Sequence, residues 1–246
     1  GDVVNLYKTI AGEGDPSFPE RFFETEYRLD YLLHTYPKPV ICWGSGIVMG
    51  GGMGLLSASS HRVVTETSRL AMPEVTIGLY PDVGASWFLN RLPNGTGRFL
   101  AMADRCIASH HRDALLQQLI DARWGKGADT DAHGVVNRIM RELEQTSQPV
   151  FAELEAPVYQ HASLIRELMD HDSVEQIVAA ITAVKSDNKW FNKAQKTLAH
   201  GSPVSIKLID EQLKRAKHMS LAEVYQFEMA LSVQCCRHRE FPEGVR

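Results

Sequence analysis

Apolar residues in the first half of the chain occur in short runs separated by glycines. Three of these runs predict strands: Val40–Trp43, Arg62–Thr65 and Arg69–Met72. After a glycine loop, the segment Met53–Ser59 predicts a short helix, and another helix is predicted after Pro81, with Asp82 or Gly84 near its N-cap. This alternation of short strands and helices predicts an α/β core over about residues 1–110.

From about Asp113 the pattern changes to helical periods with recognisable start signals. Capping serines predict three helix starts: Ser173 with Gln176, Ser220 with Glu223, and Ser202 directly before Pro203. The polar segment Trp124–Gly134 predicts a loop inside one architecture rather than a domain boundary. We therefore expect a single domain over residues 1–246, whose part from about residue 111 to 246 is helical.

Charge and cysteine content exclude several classes of protein. The 26 basic and 30 acidic residues give a net charge of −4, which lacks the positive excess of a nucleic-acid-binding protein. The cysteines form no CxxC pair, as expected in a reducing compartment. No apolar run approaches the length of a membrane span, and the opening GDVVNLYK lacks the features of a signal peptide. We expect a soluble intracellular protein that binds neither nucleic acid nor a membrane.

The glycine run GSGIVMGGGMG invites comparison with nucleotide-binding loops. The GxGxxG fingerprint fails at each start, because its last glycine would be Met49, Leu55 or Ser57, and no GK[ST] follows. A serine nucleophile elbow and an HExxH zinc motif are also missing from the sequence. A glycine run at the start of a short helix can form one half of an oxyanion hole, or it can simply allow close packing of loop against strand. From the glycines alone, both interpretations stay open.

Two acids lie in the segment AMPEVTIGLYPDVGAS. Glu74 is surrounded by apolar residues, where burial raises the pKa of a carboxyl and suits it to acid–base chemistry near neutral pH. The alternative is a structural glutamate held by the backbone or by Arg62 or Arg69. Asp82 could be a second functional carboxylate, although the residues alone favour a turn or helix-cap role for it.

Three segments of the chain resemble the crotonase (enoyl-CoA hydratase/isomerase) superfamily: PKPVICWGSGIVMGGGMGL, LAMPEVTIGLYPDVGASWFLNRL and SVQCCRHREFPEGVR. The resemblance covers essentially the whole chain and is closest to the 3-hydroxyisobutyryl-CoA hydrolase branch. It implies a spiral of ββα turns followed by a helical C-terminal region. It also implies that N-terminal strands, a short internal stretch near residues 102–103 and a C-terminal tail are absent from this sequence.

The resemblance assigns an oxyanion hole to the backbone N–H groups of Gly51 and Gly1. Hydratases of the superfamily carry a first catalytic glutamate three residues after the oxyanion glycine. In this chain that position is Gly54, which has no side chain for proton chemistry. The resemblance therefore favours a branch of the superfamily with rearranged catalytic carboxylates.

For the hydrolase branch, the resemblance implies that Glu74 and Asp82 are the catalytic pair. A glutamate in the segment FFETEYRLD, Glu26, is then expected to contact the substrate, whereas without the resemblance it would be interpreted as a surface helix residue. The choice between general base and nucleophile for Glu74 stays open.

The function implied by the resemblance is hydrolysis of a short β-hydroxyacyl-CoA thioester, with 3-hydroxyisobutyryl-CoA of valine catabolism as the expected substrate. The alternatives are an enoyl-CoA hydratase or isomerase, and a non-catalytic acyl-CoA binding protein. We expect no metal and no cofactor, since CoA is part of the substrate. A trimer or hexamer is expected by family resemblance, in a bacterial cytoplasm or, alternatively, a mitochondrial matrix.

Overall fold

A computed structural model describes residues 3–92, 105–124, 131–152, 154 and 160–245 of the protein. The first part of the chain alternates short helices and strands: α1 (Val3–Ile10), α2 (Phe18–His34), β1 (Ile41–Gly44), β2 (Ile47–Met49), α3 (Gly51–Ala58), β3 (His61–Val64), β4 (Arg69–Ala71), α4 (Ala85–Phe88) and β5 (Arg105–Cys106). Short 3₁₀ segments occur at Glu74–Ile77, Leu89–Arg91 and Ser109–His111. The predicted α/β organisation is observed in these residues.

All described strand pairs are parallel. In one sheet β3 lies between β1 and β5, with Ile41 opposite His61 and Val63 opposite Arg105. In a second sheet β2 pairs with β4, with Ile47 opposite Arg69. Because the parallel pair β1 and β3 needs a crossover connection, the chain runs between them through β2 and α3. Gly50, in the glycine run, connects the end of β2 to the start of α3.

The remaining described segments are helical, as the sequence predicts. They are α5 (Arg112–Asp121), α6 (Ala132–Phe151), α7 (Ala162–Met169), α8 (Val174–Ala183), α9 (Lys189–His200), α10 (Pro203–Ala216), α11 (Leu221–Arg237) and α12 (Glu240–Val245). Complete capping boxes start α8 at Ser173 and α11 at Ser220. The Ser202 hydroxyl accepts from the Ser205 N–H at the start of α10. All three predicted helix starts are confirmed.

Several predicted boundaries are wrong, for local reasons. Helix α3 begins at Gly51 rather than Met53, because Gly50 has a positive φ of 53° and accepts the first helical hydrogen bond from the Met53 N–H. The predicted loop Trp124–Gly134 ends earlier, since the Asp131 side chain caps α6 by accepting from the Gly134 N–H at 2.7 Å. Residues 125–130 of that loop, and the junction near 102–103, lie outside the described residues.

The core that supports the candidate site joins both ends of the described chain. Buried side chains from α1, α2, α11 and α12 pack around the loop that precedes α4: Leu6, Phe23, Tyr27, Val83, Tyr225, Cys236 and Phe241. A second cluster lies between β3, α5 and α6. Burial of large side chains at roughly 1.5–3 kcal/mol each makes the first cluster a major source of stability. It also places α2 and α11 directly against the loop that carries Asp82.

Two further features concern the cysteines and the helix lengths. Among the described residues, Cys42, Cys235 and Cys236 have free thiols. Within the part of the chain that the structure describes, no helix is both long enough and apolar enough to cross a membrane.

Candidate active site

A cavity of about 270 Å³ lies between α1, α2 and the start of α3. Three carboxylates line it: Glu26, Glu74 and Asp82. Gly51 lies on its wall as the first residue of α3, and the first N–H groups of a helix have no partner within the helix. The structure therefore brings four of the five predicted site residues to one cavity. The fifth, Gly1, lies outside the described residues.

Glu74 is the first residue of the 3₁₀ turn Glu74–Ile77 and is only 6% exposed. Its Oε1 atom lies beside Gly50, 3.7 Å from the position that a Cβ would take there, and its Oε2 atom is buried without a hydrogen-bond partner. Burial, and then the charge of Asp82, raises the pKa of Glu74 to about 8. The structural alternative named Arg62 or Arg69 as a partner, but neither arginine is among the groups that shift the pKa of Glu74.

The turn that carries Glu74 is supported from behind by the C-terminal helices. The Ser202 N–H at the start of α10 donates to the Val75 carbonyl at 3.1 Å. Gly78, which ends the turn with a φ of 69°, contacts the first residue of α12 so closely that a Cβ would lie 2.2 Å from the Glu240 carbonyl oxygen. These backbone contacts fix the position of Glu74 without adding a side chain to the cavity.

Asp82 occupies a strained loop. Its Oδ2 atom accepts a hydrogen bond of 2.7 Å from the Tyr27 hydroxyl, and burial raises its pKa to about 6. The next residue, Val83, has a φ of 53°, which a β-branched side chain rarely adopts. Strain of this kind costs about 1–3 kcal/mol and is often found at functional sites. The strained residue therefore directly follows Asp82 in the loop.

Glu228 of α11 holds the strained loop in place and was not identified from the sequence. Its carboxylate is completely buried and accepts from the backbone N–H groups of Gly84 at 2.6 Å and Ser86 at 2.9 Å. Burial raises the pKa of Glu228 to about 8, whereas these hydrogen bonds lower it. Because Glu228 caps this loop, Gly84 is the N-cap residue of α4, and Asp82 is left to face the cavity.

Glu26 is half-buried and lines the cavity from α2, so it is not the surface residue that its sequence context alone suggests. Burial, and then the Asp82 charge, raises its pKa to about 7. One turn further along α2, Asp30 is 1% exposed and its Oδ2 atom has no hydrogen-bond partner. Burial and the neighbouring acids raise the pKa of Asp30 to about 8. The site is therefore a cluster of carboxyl groups whose pKa values are all raised, chiefly by burial.

Asp30 explains why residue 54 is a glycine. A Cβ at Gly54 would lie 2.7 Å from the Asp30 Oδ2 atom and 2.8 Å from the Cβ of Val83. Real Cβ atoms do not approach other atoms so closely. The space that a side chain at position 54 would need is thus filled by neighbouring side chains.

A Gly54→Ala substitution is expected to destabilise the protein by about 1–3 kcal/mol, because the strained Val83 backbone and the buried Asp30 cannot move aside freely. Gly52→Ala in the same helix is the matched control, since its Cβ would make an ordinary contact of 3.6 Å with Val48. Urea unfolding of both variants measures the difference in their free energies of unfolding. Equal midpoints for the two would contradict the close packing at position 54.

Comparisons with known proteins agree with this architecture. A family model described as enoyl-CoA hydratase/isomerase matches residues 1–246. The mitochondrial 3-hydroxyisobutyryl-CoA hydrolase of Danio rerio is 34% identical over 262 residues, which cover 100% of this chain and 65% of that protein. The Arabidopsis thaliana small ribosomal subunit protein mS47 is 33% identical over 261 residues, which cover 100% of this chain and 62% of that protein. The chain therefore spans only about two thirds of the length of these relatives.

A solved structure shares the fold. The crystal structure of a carnitinyl-CoA dehydratase from Mycobacterium thermoresistibile superposes with a TM-score of 0.82 at 30% sequence identity. The superposition covers 100% of this chain and 71% of the dehydratase. Both the α/β part and the helical part of the described chain are thus accounted for by one known fold.

Proposed function

Because this chain belongs to the enoyl-CoA hydratase/isomerase family and has the crotonase fold, we propose that it hydrolyses the thioester of a short β-hydroxyacyl-CoA. The first candidate substrate is 3-hydroxyisobutyryl-CoA, after which the Danio rerio relative is named. One observation carries the proposal. Glu74 and Asp82 line the same cavity as Gly51, while position 54 is closed to a glutamate side chain.

The proposed reaction places the thioester carbonyl oxygen at the Gly51 N–H, at the start of α3. A backbone N–H aimed at developing negative charge stabilises the transition state, and losing one such donor typically costs about 3 kcal/mol. The resemblance assigns the second donor to Gly1. The reacting carbonyl carbon then lies within the cavity that Glu74 and Asp82 share.

Glu74 is proposed as the group that reacts at the carbonyl, either by activating water or by attacking directly. Its burial supports this role, because a carboxylate that has lost its solvation is a stronger base than one in water. Glu26 lies on the α2 side of the same cavity and is proposed to bind the β-hydroxyl end of the substrate. The products are the free β-hydroxy acid and CoA.

Two other functions remain to be tested against this one. An enoyl-CoA hydratase or isomerase would use Glu74 and the Gly51 N–H without a second glutamate at position 54. A non-catalytic protein that binds acyl-CoA is the third candidate, and the similarity to a protein named as a ribosomal subunit protein keeps it open.

The test measures free-thiol release from a panel of CoA esters by the purified full-length protein, beside the hydration of crotonyl-CoA. Thiol release from 3-hydroxyisobutyryl-CoA or 3-hydroxypropionyl-CoA without hydration of crotonyl-CoA is the expected result. Hydration without thiol release would replace the proposal with the hydratase function. Tight binding of the esters without either reaction would replace it with a binding function.

Replacement of Asp82 by glycine is expected to lower thiol release by at least about 10²-fold, since it removes a carboxyl group from the cavity. Asp131→Gly is the control, because Asp131 only caps α6 and lies outside the cavity. Steady-state rates of thiol release for both variants measure the contribution of the Asp82 carboxyl group. Unchanged activity in Asp82→Gly would return Asp82 to a turn or cap role.

The location and assembly of the protein are also proposals. The name of the Danio rerio relative includes a mitochondrial location, which supports the mitochondrial matrix over the bacterial cytoplasm. A homo-oligomer is proposed from family resemblance, and the mass measured by light scattering for the full-length protein would test it.

A further inference from the structure

Gln212 of α10 forms two hydrogen bonds across the loop that carries Asp82. Its Nε2 atom donates to the Pro81 carbonyl oxygen at 2.7 Å and to the Ser86 Oγ atom at 2.6 Å. Pro81 directly precedes Asp82, and Ser86 is the second residue of α4. We call these two hydrogen bonds the amide bridge. The bridging side chain is only 1% exposed and is not among the residues that line the cavity.

The acceptors of the amide bridge fix the orientation of the Gln212 amide group. A carbonyl oxygen can only accept a hydrogen bond, so the amide nitrogen, with its two N–H groups, must face Pro81. The Oε1 atom is then left buried without a hydrogen-bond partner. An unpaired buried acceptor is unfavourable, and an apolar side chain of the same size would avoid it. Gln212 therefore holds the loop at the expense of one unsatisfied polar atom.

The Pro81 contact acts directly on the backbone of Asp82. The Pro81 carbonyl and the Asp82 N–H belong to one planar peptide group. A hydrogen bond that fixes the direction of this carbonyl therefore also fixes the plane from which the Asp82 side chain projects. The next residue, Val83, has a φ of 53°, and strain of this kind persists only where surrounding contacts hold the backbone. Gln212 supplies such a contact before the strained residue, and Glu228 supplies two after it.

Helix α10 also holds the turn that carries Glu74. The Ser202 N–H, at the start of this helix, donates to the Val75 carbonyl at 3.1 Å, and Gln212 follows ten positions later. At 1.5 Å per residue, the two contacts are about 15 Å apart along the helix axis. Groups supported by a helix are held more precisely than groups on loops alone. The backbones that carry Glu74 and Asp82 are thus attached to one common support.

We propose that α10 fixes the position of Asp82 relative to Glu74, with Gln212 as the positioning residue for Asp82. The catalytic part of this proposal rests on the proposed function, in which both carboxyl groups act on one thioester. Their side chains line the same cavity. Gln212 does not line that cavity and acts on the reaction through the peptide group between Pro81 and Asp82.

Gln212→Met removes both N–H donors and keeps an unbranched side chain of about the same length. Without the Pro81 contact, the peptide group is expected to rotate and relieve the strain at Val83, which displaces the Asp82 carboxyl group. Crystal structures of the full-length variant and of the parent protein measure this displacement. We expect a shift of more than about 0.5 Å, which is the precision that catalytic groups require. Gln212→Leu also lacks donors and is the second variant if Gln212→Met does not fold.

Asn90 provides a matched control in the same region. Its Nδ2 atom donates to the Ser86 and Leu213 carbonyls at 2.8 Å and 2.9 Å, so it also connects α4 to α10 through two hydrogen bonds. Neither bond involves the peptide group that precedes Asp82. Asn90→Leu is therefore expected to lower the urea midpoint, as Gln212→Met does, but to leave the Asp82 carboxyl group in place. If both variants displace Asp82 equally, Gln212 has only a structural role and the proposal fails.

Thiol release provides the catalytic readout. Gln212→Met is expected to lower kcat by about 10–10²-fold and to change KM for 3-hydroxyisobutyryl-CoA by less than about threefold, because displacement of a reacting group affects turnover more than binding. When Asp82→Gly is already present, Gln212→Met should cause no further loss of kcat, since its effect passes through Asp82. An additive loss would contradict this coupling. Asn90→Leu should retain the kcat of the parent protein.

The structural and kinetic measurements distinguish this proposal from the proposed function. The crystal structures need no substrate, so a displaced Asp82 carboxyl group supports the role of α10 even if no CoA ester is hydrolysed. Absence of thiol release by the parent protein would overturn only the proposed function. An Asp82 carboxyl group that stays in place in Gln212→Met, or in Gln212→Leu, would overturn the positioning role of Gln212, whatever the parent protein hydrolyses.

Discussion

Replacement of Glu74 by glutamine is expected to lower thiol release by about 10³-fold or more, without loss of the fold or of CoA-ester binding. The amide has the shape of the carboxyl group and no capacity to accept a proton or attack a carbonyl. Turnover numbers with 3-hydroxyisobutyryl-CoA, together with equilibrium binding of the same ester, measure the two effects separately. Near-native turnover would exclude Glu74 as the reacting group.

The same substitution is expected to leave the melting temperature unchanged or higher at pH 7. Folding raises the pKa of this carboxyl from 4.5 to about 8. The free energy of unfolding therefore falls as the pH rises above 4.5, because the carboxyl ionises more readily in the unfolded state than in the folded state. Glutamine removes that penalty. Glu66→Gln is the control for the chemistry, since Glu66 accepts from the Ser109 N–H at 2.9 Å and does not line the cavity. It should retain full activity.

Substitution of Gly78 by alanine is expected to cost about 2–4 kcal/mol of stability and most of the activity. The alanine Cβ would lie 2.2 Å from the Glu240 carbonyl oxygen, and a backbone atom at the start of α12 cannot rotate away. Either α12 separates from the Glu74 turn or the turn itself moves. Both outcomes displace the carboxylate that the proposed reaction requires.

A control substitution at a second glycine distinguishes the effect of this steric clash from the effect of backbone strain alone. Gly46 has a φ of 67°, almost the same as the 69° of Gly78, but a Cβ at Gly46 would have no heavy atom within 4 Å. Gly46→Ala should therefore show only the cost of a positive φ, roughly 1 kcal/mol. Urea unfolding and thiol-release assays on both variants give the difference. If the two alanine variants lose the same stability, the contact between Gly78 and α12 is unimportant.

Residues with strong local patterns were predicted correctly from the sequence. The capping boxes at Ser173 and Ser220 are complete within four residues, so no distant contact is needed to specify them. Glu74 among apolar neighbours correctly predicted a buried carboxyl. Gly51 and Glu26 were placed at the site only through family resemblance, because glycine runs and amphipathic helices have many uses. Their roles remain predictions.

The residues that hold the site together could not be predicted from local patterns. Glu228 lies in the helical segment SLAEVYQFEMALSVQ, where a glutamate is typical of a solvent-facing position, yet it binds the loop at Gly84, 144 positions away. Asp30 shows the same difficulty, since only the folded structure places it against Gly54. The N-cap of α4 followed from these distant contacts: Tyr27 and the cavity engage Asp82, so the cap falls on Gly84.

The backbone contacts behind Glu74 also determine when the site can form during synthesis. The Val75 carbonyl accepts a hydrogen bond from the Ser202 N–H, and Gly78 packs against α12. Both partners are synthesised long after the turn, so its contacts are complete only when the chain has been made as far as Val245. Contacts between such distant residues form late, because the intervening chain must be closed first. A nascent chain that has already folded its parallel strands would therefore still lack these two contacts of the Glu74 turn. The turn is expected to take its final position only when the start of α10 and α12 have docked against it.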